Sequence, residues 1–165
     1  MDELKAAAEE TRTRPASCGA ITFSPEGKLL LIHRENVPGI PHPNLWAILG
    51  GAMEAGEEPL QTLGREIAEE ANISLLPGQA TLLGRLEAGD DRDHDKNIAL
   101  VRLTPEQAAA IKKGREGQEL KFFSPGELKN IPLVPDIVTL LASHMDTLKK
   151  IAAGMQPDKK DLDLV

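Results

Sequence analysis

The sequence predicts an α/β fold, with a mixed β-sheet between helices in one domain, on three observations. A chain of 165 residues and 17.8 kDa suits a single domain of ordinary size. Its 41% hydrophobic and 27% charged residues are the composition of a globular chain, one able to bury roughly two-thirds of its unfolded surface. Apolar runs of strand length and stretches of helical periodicity follow one another in irregular order, which suggests a mixed sheet between helices.

Residues 1–16 read as an N-terminal extension whose polar stretch 2–11 is expected to be a short helix ending before Pro15. Residues 17–24 and 28–34 read as strands, joined into a β-hairpin by the turn Ser24-Pro25-Glu26-Gly27. Three prolines and a glycine make 37–44 a loop, and 45–53 is expected to be a short buried strand. Leu60, Leu63, Ile67 and Ala71 recur at helical spacing and predict a helix over 59–71. Asn72 follows it, where a left-handed cap favours Gly or Asn. Strands are expected over 81–88 and 97–103, flanking a charged hairpin tip at 90–96. Thr104 as N-cap and Pro105 behind it open a helix expected to run to about Lys113. A strand at 120–123, a turn or short helix from Ser124, and a last helix over 135–153 complete a domain taken as 17–153. That last helix would place Ile137, Leu140, Leu141, Leu148 and Ile151 on one face. Residues 154–165 are expected to be a flexible, frayed tail.

Composition excludes several function classes. A net charge of −7 argues against a broad grip on nucleic-acid polymers, and 2% aromatics are too few for a base-stacking platform. Phosphate substrates stay compatible, because a bound cation reverses the local field. No apolar run approaches the ~20 residues of a membrane span, so no membrane partner is expected. The N-terminus lacks the apolar stretch of a secretory signal. The single cysteine, Cys18, rules out an intrachain disulfide framework. These features predict a cytoplasmic protein.

Chemistry concentrates in 51–73, GAMEAGEEPLQTLGREIAEEANI, where six glutamates accompany one base, Arg65. At about 100° per residue, Glu66, Glu69 and Glu70 fall within roughly a third of a turn of one another. They lie beside the apolar stripe, so one side of the helix packs on a sheet while the adjacent side offers three carboxylates. Like charges at these spacings oppose a helix by ~0.2–0.5 kcal/mol a pair. A hard divalent cation removes that cost: Mg²⁺ takes one or two protein carboxylates, keeps waters and binds phosphate oxygens. Two such ions clamp attacking and leaving oxygens in a displacement at phosphorus. A solvated acidic face is the competing interpretation of the spacing alone.

The order Gly51, five residues, Glu57, seven residues, Arg65-Glu66-Ile67, one residue, Glu69-Glu70, one residue, Asn72-Ile73 resembles the Nudix box, G-x5-E-x7-R-E-U-x-E-E-x-G-U with U aliphatic. Only Asn72 departs, where the family usually has Gly. The preceding Trp46-Ala47-Ile48-Leu49-Gly50-Gly51 is similar to the family's W-x-L-P-G-G, with Leu49 in place of proline. The resemblance implies a Nudix-like α/β/α sandwich over most of the chain. It implies that Glu66, Glu69 and Glu70 bind Mg²⁺ or Mn²⁺, with a carbonyl near Gly50 or Gly51 as a further ligand. It also implies that Arg65 and Glu57 orient these acids through an ion pair, as a rigid guanidinium fork can.

Arg115-Glu116-Gly117-Gln118 resembles the E-G-Q segment before the last strand in members of the MutT branch, which makes Glu116 a candidate metal ligand or general base, with Glu119 as fallback. Glu66, Glu69 and Glu116 share the candidacy for the base. Arg34, at a strand end, and Trp46, close to the box, are candidate substrate contacts. His33, His42, His94 and His144 show no metal-ligand spacing. The resemblance implies a Mg²⁺-dependent hydrolase of a nucleoside diphosphate linked to a further group X, foremost a MutT-type nucleoside triphosphate pyrophosphatase. A nucleotide-sugar or dinucleotide polyphosphate hydrolase is the runner-up, and a non-catalytic nucleotide sensor the alternative from another class. The aliphatic Val134 stands where some members carry a base-reading amide, which weighs against an oxidised purine. A homodimer is compatible with the family, though no segment identifies an interface.

Overall fold

The computed structural model describes residues 15–89 and 94–165. Seven strands form one mixed sheet: β1 (Pro15–Phe23), β2 (Leu29–His33), β3 (Trp46–Ala47), β4 (Leu49–Ala52), β5 (Ala80–Leu86), β6 (Asp95–Arg102) and β7 (Glu119–Phe123). Their order is β3-β2-β1-β6-β5, with β4 also on β1 and β7 also on β2. Strands β1 and β6 run parallel and the other pairs antiparallel. The helices are α1 (Pro59–Ala71), α2 (Pro105–Ala110), α3 (Pro135–Leu140) and α4 (Met145–Ala152).

Alternation along the strands sorts two cores onto the two faces. Cys18, Ala20, Leu30, Leu49, Ala99 and Val101 pack on one face against Leu63, Ile67 and Ala71 of α1. Ile21, Phe23, Leu29, Leu31, Ile98 and Leu100 pack on the other against α3 and α4. This is the expected α/β/α sandwich: successive strand residues point to opposite faces, and β2 and β6 are buried almost continuously because both faces are covered. Cys18 is buried, and burial pushes its thiol up to about 11, which leaves it a small core residue.

Several boundaries differ from expectation for identifiable reasons. The presumed hairpin is short, pairing Phe23 with Leu29 and the Ser24 N–H with the Lys28 carbonyl at 2.8 Å, because β1 gives most of its length to β4 and β6. The strand expected over 45–53 is two strands, broken at Ile48, as the chain leaves β2 and joins β1. Leu60 is 39% exposed, and Thr62, fully buried, takes its place on the packed face of α1. The helix expected to reach Lys113 stops at Ala110, because the next N–H groups are drawn to the end of α1. The last helix is interrupted between Leu140 and Met145, where side chains take the helical carbonyls: Ser143 Oγ donates to Val138 and His144 Nδ1 contacts Leu140. The helix expected over 2–11 lies outside the described residues, as does most of the hairpin tip at 90–96. Asp95 of that tip is buried at the start of β6, where it accepts the Ala88 N–H at 2.7 Å.

The C-terminus is not a frayed tail. Residues Lys159–Leu162 form a 3₁₀ turn capped by Asp158, and Leu162 and Leu164 enter the core. Val165 exchanges both backbone hydrogen bonds with Arg85, at 2.8 and 3.0 Å, which covers part of the edge of β5. Among the described residues no helix is long and apolar enough to cross a membrane.

Candidate active site

The site forms where β4 meets α1. Glu58 caps the helix: its N–H donates to Gln61 Oε1 at 2.8 Å, and Pro59 occupies the first turn. Asn72 ends it at φ 57°, ψ 35°, the left-handed cap anticipated from the sequence, with its N–H on the Ala68 carbonyl at 3.1 Å.

Arg65 is the hub. Its Nε and Nη2 each donate to a Glu57 oxygen at 2.9 Å, Nη1 donates to Glu66 Oε1 at 2.8 Å, and Nη2 also reaches the Ala52 carbonyl at 3.0 Å. Glu69 Oε1 stands 3.6 Å from Nη1. Glu57 is held further by the Glu54 N–H and the Thr62 hydroxyl. The Arg65 hydrogen bond, then that of Glu54, lowers the Glu57 carboxyl to about 2, and Glu57 in turn keeps Arg65 charged. Thr62 was missed in the sequence because Leu60 fits the apolar spacing better. Its signal is the hydroxyl five residues after Glu57.

Glu66 and Glu70 sit in the opposite electrostatic state. Burial pushes Glu70 up to about 8, although it accepts the Gly50 N–H at 2.8 Å, and Glu66 and Glu116 push the same way. Burial also raises Glu66, against the pull of Arg65 and with the repulsion of Glu69 and Glu116. A Cβ on Gly51 would displace the Glu66 carboxylate from its place beside β4. The Glu69 side chain is 61% exposed.

Glu66, Glu69, Glu70, Asn72, Arg115 and Glu116 line a cleft of about 400 Å³. Glu116 gets there because its segment is tied down at both ends. Lys112 and Gly114 donate their N–H groups to the Ala71 and Glu70 carbonyls at 3.1 and 3.0 Å, and Asn72 Nδ2 donates to the Lys112 carbonyl at 2.5 Å. These N–H groups therefore satisfy carbonyls at the open end of α1. At the other end Gln118 donates its N–H to the His33 carbonyl at 2.7 Å. Between them Gly117 adopts φ 83°, where a Cβ would lie 2.9 Å from Ile32 Cδ1. Glu119 is instead the first residue of β7, in register with His33.

The four acids of the cleft, Glu66, Glu69, Glu70 and Glu116, are oxygen donors that outnumber the cations Arg65 and Arg115 beside them, and this fits a hard divalent cation. Among the described residues no three acidic, imidazole or thiol groups converge as a preformed cage. Glu70 is turned onto Gly50 and Glu66 onto Arg65. The substrate candidates divide. Arg34 Nε donates to the Pro41 carbonyl at 3.0 Å, which places it at the base of the 34–44 loop. Trp46 is only 7% exposed, stacked on His33 at 4.5 Å and edge-on to Phe123 at 4.9 Å. Its ring is committed to the core, contrary to the expectation that it lines a pocket, because the β3 register points it inward.

A profile for the NUDIX domain matches residues 13–143. The chain is 32% identical over 107 residues to an ADP-ribose pyrophosphatase from Methanocaldococcus jannaschii, which covers 65% of this chain and 59% of that protein. It is 29% identical over 125 residues to diphosphoinositol polyphosphate phosphohydrolase 3-beta from Bos taurus, covering 68% and 72%. Among solved structures, the NUDIX domain of Shewanella oneidensis NrtR complexed with ADP ribose superposes with a TM-score of 0.64 at 19% identity, over 90% of this chain and 99% of that one. With the box acids on one helix end and the matching sheet behind them, the chain belongs to the NUDIX domain family.

Proposed function

We propose that this chain hydrolyses a phosphoanhydride bond in a nucleoside diphosphate linked to a further group, with Mg²⁺ or Mn²⁺ as cofactor. The observation that carries this reading is the convergence of Glu66, Glu69, Glu70 and Glu116 on one cleft, with Arg65 orienting two of the box acids. When bound, the cation neutralises phosphate charge and polarises the anhydride. The chain's own groups do the rest. Arg65 holds Glu57 and Glu66 in place without competing as a ligand. Glu66, Glu69, Glu70 and the Gly51 carbonyl would hold the cation, with Glu116 as a further oxygen donor from the 111–118 segment. A carboxylate, Glu116 first and Glu66 or Glu69 otherwise, takes the proton of the attacking water. Its oxygen bonds to phosphorus as the bridging P–O bond breaks and the phosphate leaving group departs.

Within that class the Glu116-Gly117-Gln118 segment supports a nucleoside triphosphate as substrate, giving a monophosphate and pyrophosphate. The likeness to an ADP-ribose pyrophosphatase favours a second reading, a nucleotide sugar split into a nucleoside monophosphate and a sugar phosphate. A panel of nucleoside triphosphates, ADP-sugars and dinucleotide polyphosphates with Mg²⁺ separates them by product. Full turnover in excess EDTA would sink the metal dependence. Tight nucleotide binding without turnover on any member would favour a sensor.

A further inference from the structure

The segment that brings Glu116 to the cleft also reaches the loop before the box. Gln118 Nε2 donates to the Arg34 carbonyl at 2.7 Å and to Asn44 Oδ1 at 2.9 Å, the two ends of the 34–44 loop. The same loop closes on itself through Asn44 N–H to the Glu35 carbonyl at 2.9 Å and Arg34 N–H to the Leu45 carbonyl at 2.8 Å. His33 Nε2, on the ring that covers Trp46, meets the Asn44 carbonyl at 3.1 Å. Asn44 itself sits at φ 63°, a conformation its side chain tolerates better than most. One amide therefore pins both ends of an eleven-residue excursion rich in proline. That excursion carries Arg34 and stands beside the segment that Gln118 shares with Glu116.

We propose that the Gln118 side chain is a positioning residue for substrate selection: it fixes the 34–44 loop beside the segment that carries Glu116 to the cleft, while its backbone N–H separately anchors that segment on the His33 carbonyl. Loop placement then governs binding, and the main-chain anchor governs the chemical step. The substrate half of this inference rests on the hydrolase reading above; the loop half does not. Gln118→Glu is the discriminating variant, because it keeps the shape and the backbone bond but replaces an N–H₂ donor with a carboxylate facing two oxygen acceptors.

The expected result is that Gln118→Glu raises KM for the best panel substrate roughly fivefold to tenfold, with kcat within about twofold of wild type. Amide exchange at Arg34 and Asn44 should accelerate about tenfold in the ligand-free protein. Asn44→Gly, which keeps the left-handed backbone and deletes the acceptor, should raise KM by less. The double variant should fall short of the product of the two effects. Unchanged exchange at Arg34 and Asn44 overturns the loop anchor whether or not the protein hydrolyses anything. Faster exchange with an unchanged KM, or a fall in kcat that matches any rise in KM, overturns the selection role. If wild type turns over no panel member, the hydrolase reading fails while the exchange measurement still decides the loop anchor.

Discussion

The box helix and the 111–118 segment deliver acids to one cleft by different physical means. On α1 the carboxylates are placed by helical geometry and by a guanidinium whose partners, except Ala52, all lie within eleven residues of it in sequence. Glu116 is placed by tertiary hydrogen bonds, to residues about 40 positions away at one end and 85 at the other. A local device tolerates changes elsewhere in the fold. A device built on distant strand ends depends on the whole sheet.

The largest effect is expected on the loop side. Glu116→Gln should lower kcat by ~10²-fold or more with little change in KM, within the usual span of a general base. Steady-state kinetics with Glu119→Gln as control checks this. If Glu119→Gln is the damaging change, β7 is not the structural boundary that its register with His33 indicates.

Arg65→Lys tests the helix side. Lysine keeps the charge but cannot hold both Glu57 oxygens and Glu66 at once. Turnover should fall about 10- to 100-fold, the usual cost of losing a group that orients metal ligands, with the fold retained by circular dichroism. Wild-type turnover would reduce Arg65 to a charge balance and remove the contrast between the two regions.

The metal-free protein should report the strained acids through its stability. Glu70 titrates near 8 in the fold and near the ordinary carboxylate value when unfolded. The unfolded chain therefore loses this proton first. Stability falls as pH rises from about 4.5 to 8, by an amount on the order of a few kcal/mol. Glu57 acts oppositely: its contribution is present above the ordinary value and is lost as pH falls towards about 2. Urea unfolding in EDTA should show the descending limb in wild type and a flatter profile in Glu70→Gln. An identical slope in both would mean that Glu70 is not the titrating group.

How much of this was legible follows the same division. The helix 59–71 and its left-handed Asn72 cap were readable, because each follows from spacing or from one residue's backbone preference. Glu116 was reachable only through the resemblance of its segment. Nothing local announces that Lys112 and Gly114 cap a helix that ended 40 residues earlier. Trp46 and the tail were misread for a related reason. The inward register of β3 and the burial of Leu162 and Leu164 are decided by where β2 and β5 lie, and a single stretch of sequence does not contain that.

Asn72 joins the two regions and gives the smallest expected effect. It is the one box position that departs from the family pattern, and its side chain does what glycine cannot: Nδ2 holds the Lys112 carbonyl at the root of the Glu116 segment. Asn72→Gly keeps the left-handed cap at no steric cost, so the melting temperature should move by only a few degrees. The segment keeps its two backbone bonds to Ala71 and Glu70. One exposed hydrogen bond is lost, and kcat should fall roughly threefold with KM unchanged. Asn72→Asp should do worse, since a carboxylate faces the Lys112 carbonyl and adds negative charge at the C-terminal end of a helix already crowded with acids. If Asn72→Gly is as active as wild type, the backbone bonds alone position Glu116 and the amide is redundant. If it loses as much as Glu116→Gln, the long-range anchoring of the loop hangs on this single side chain.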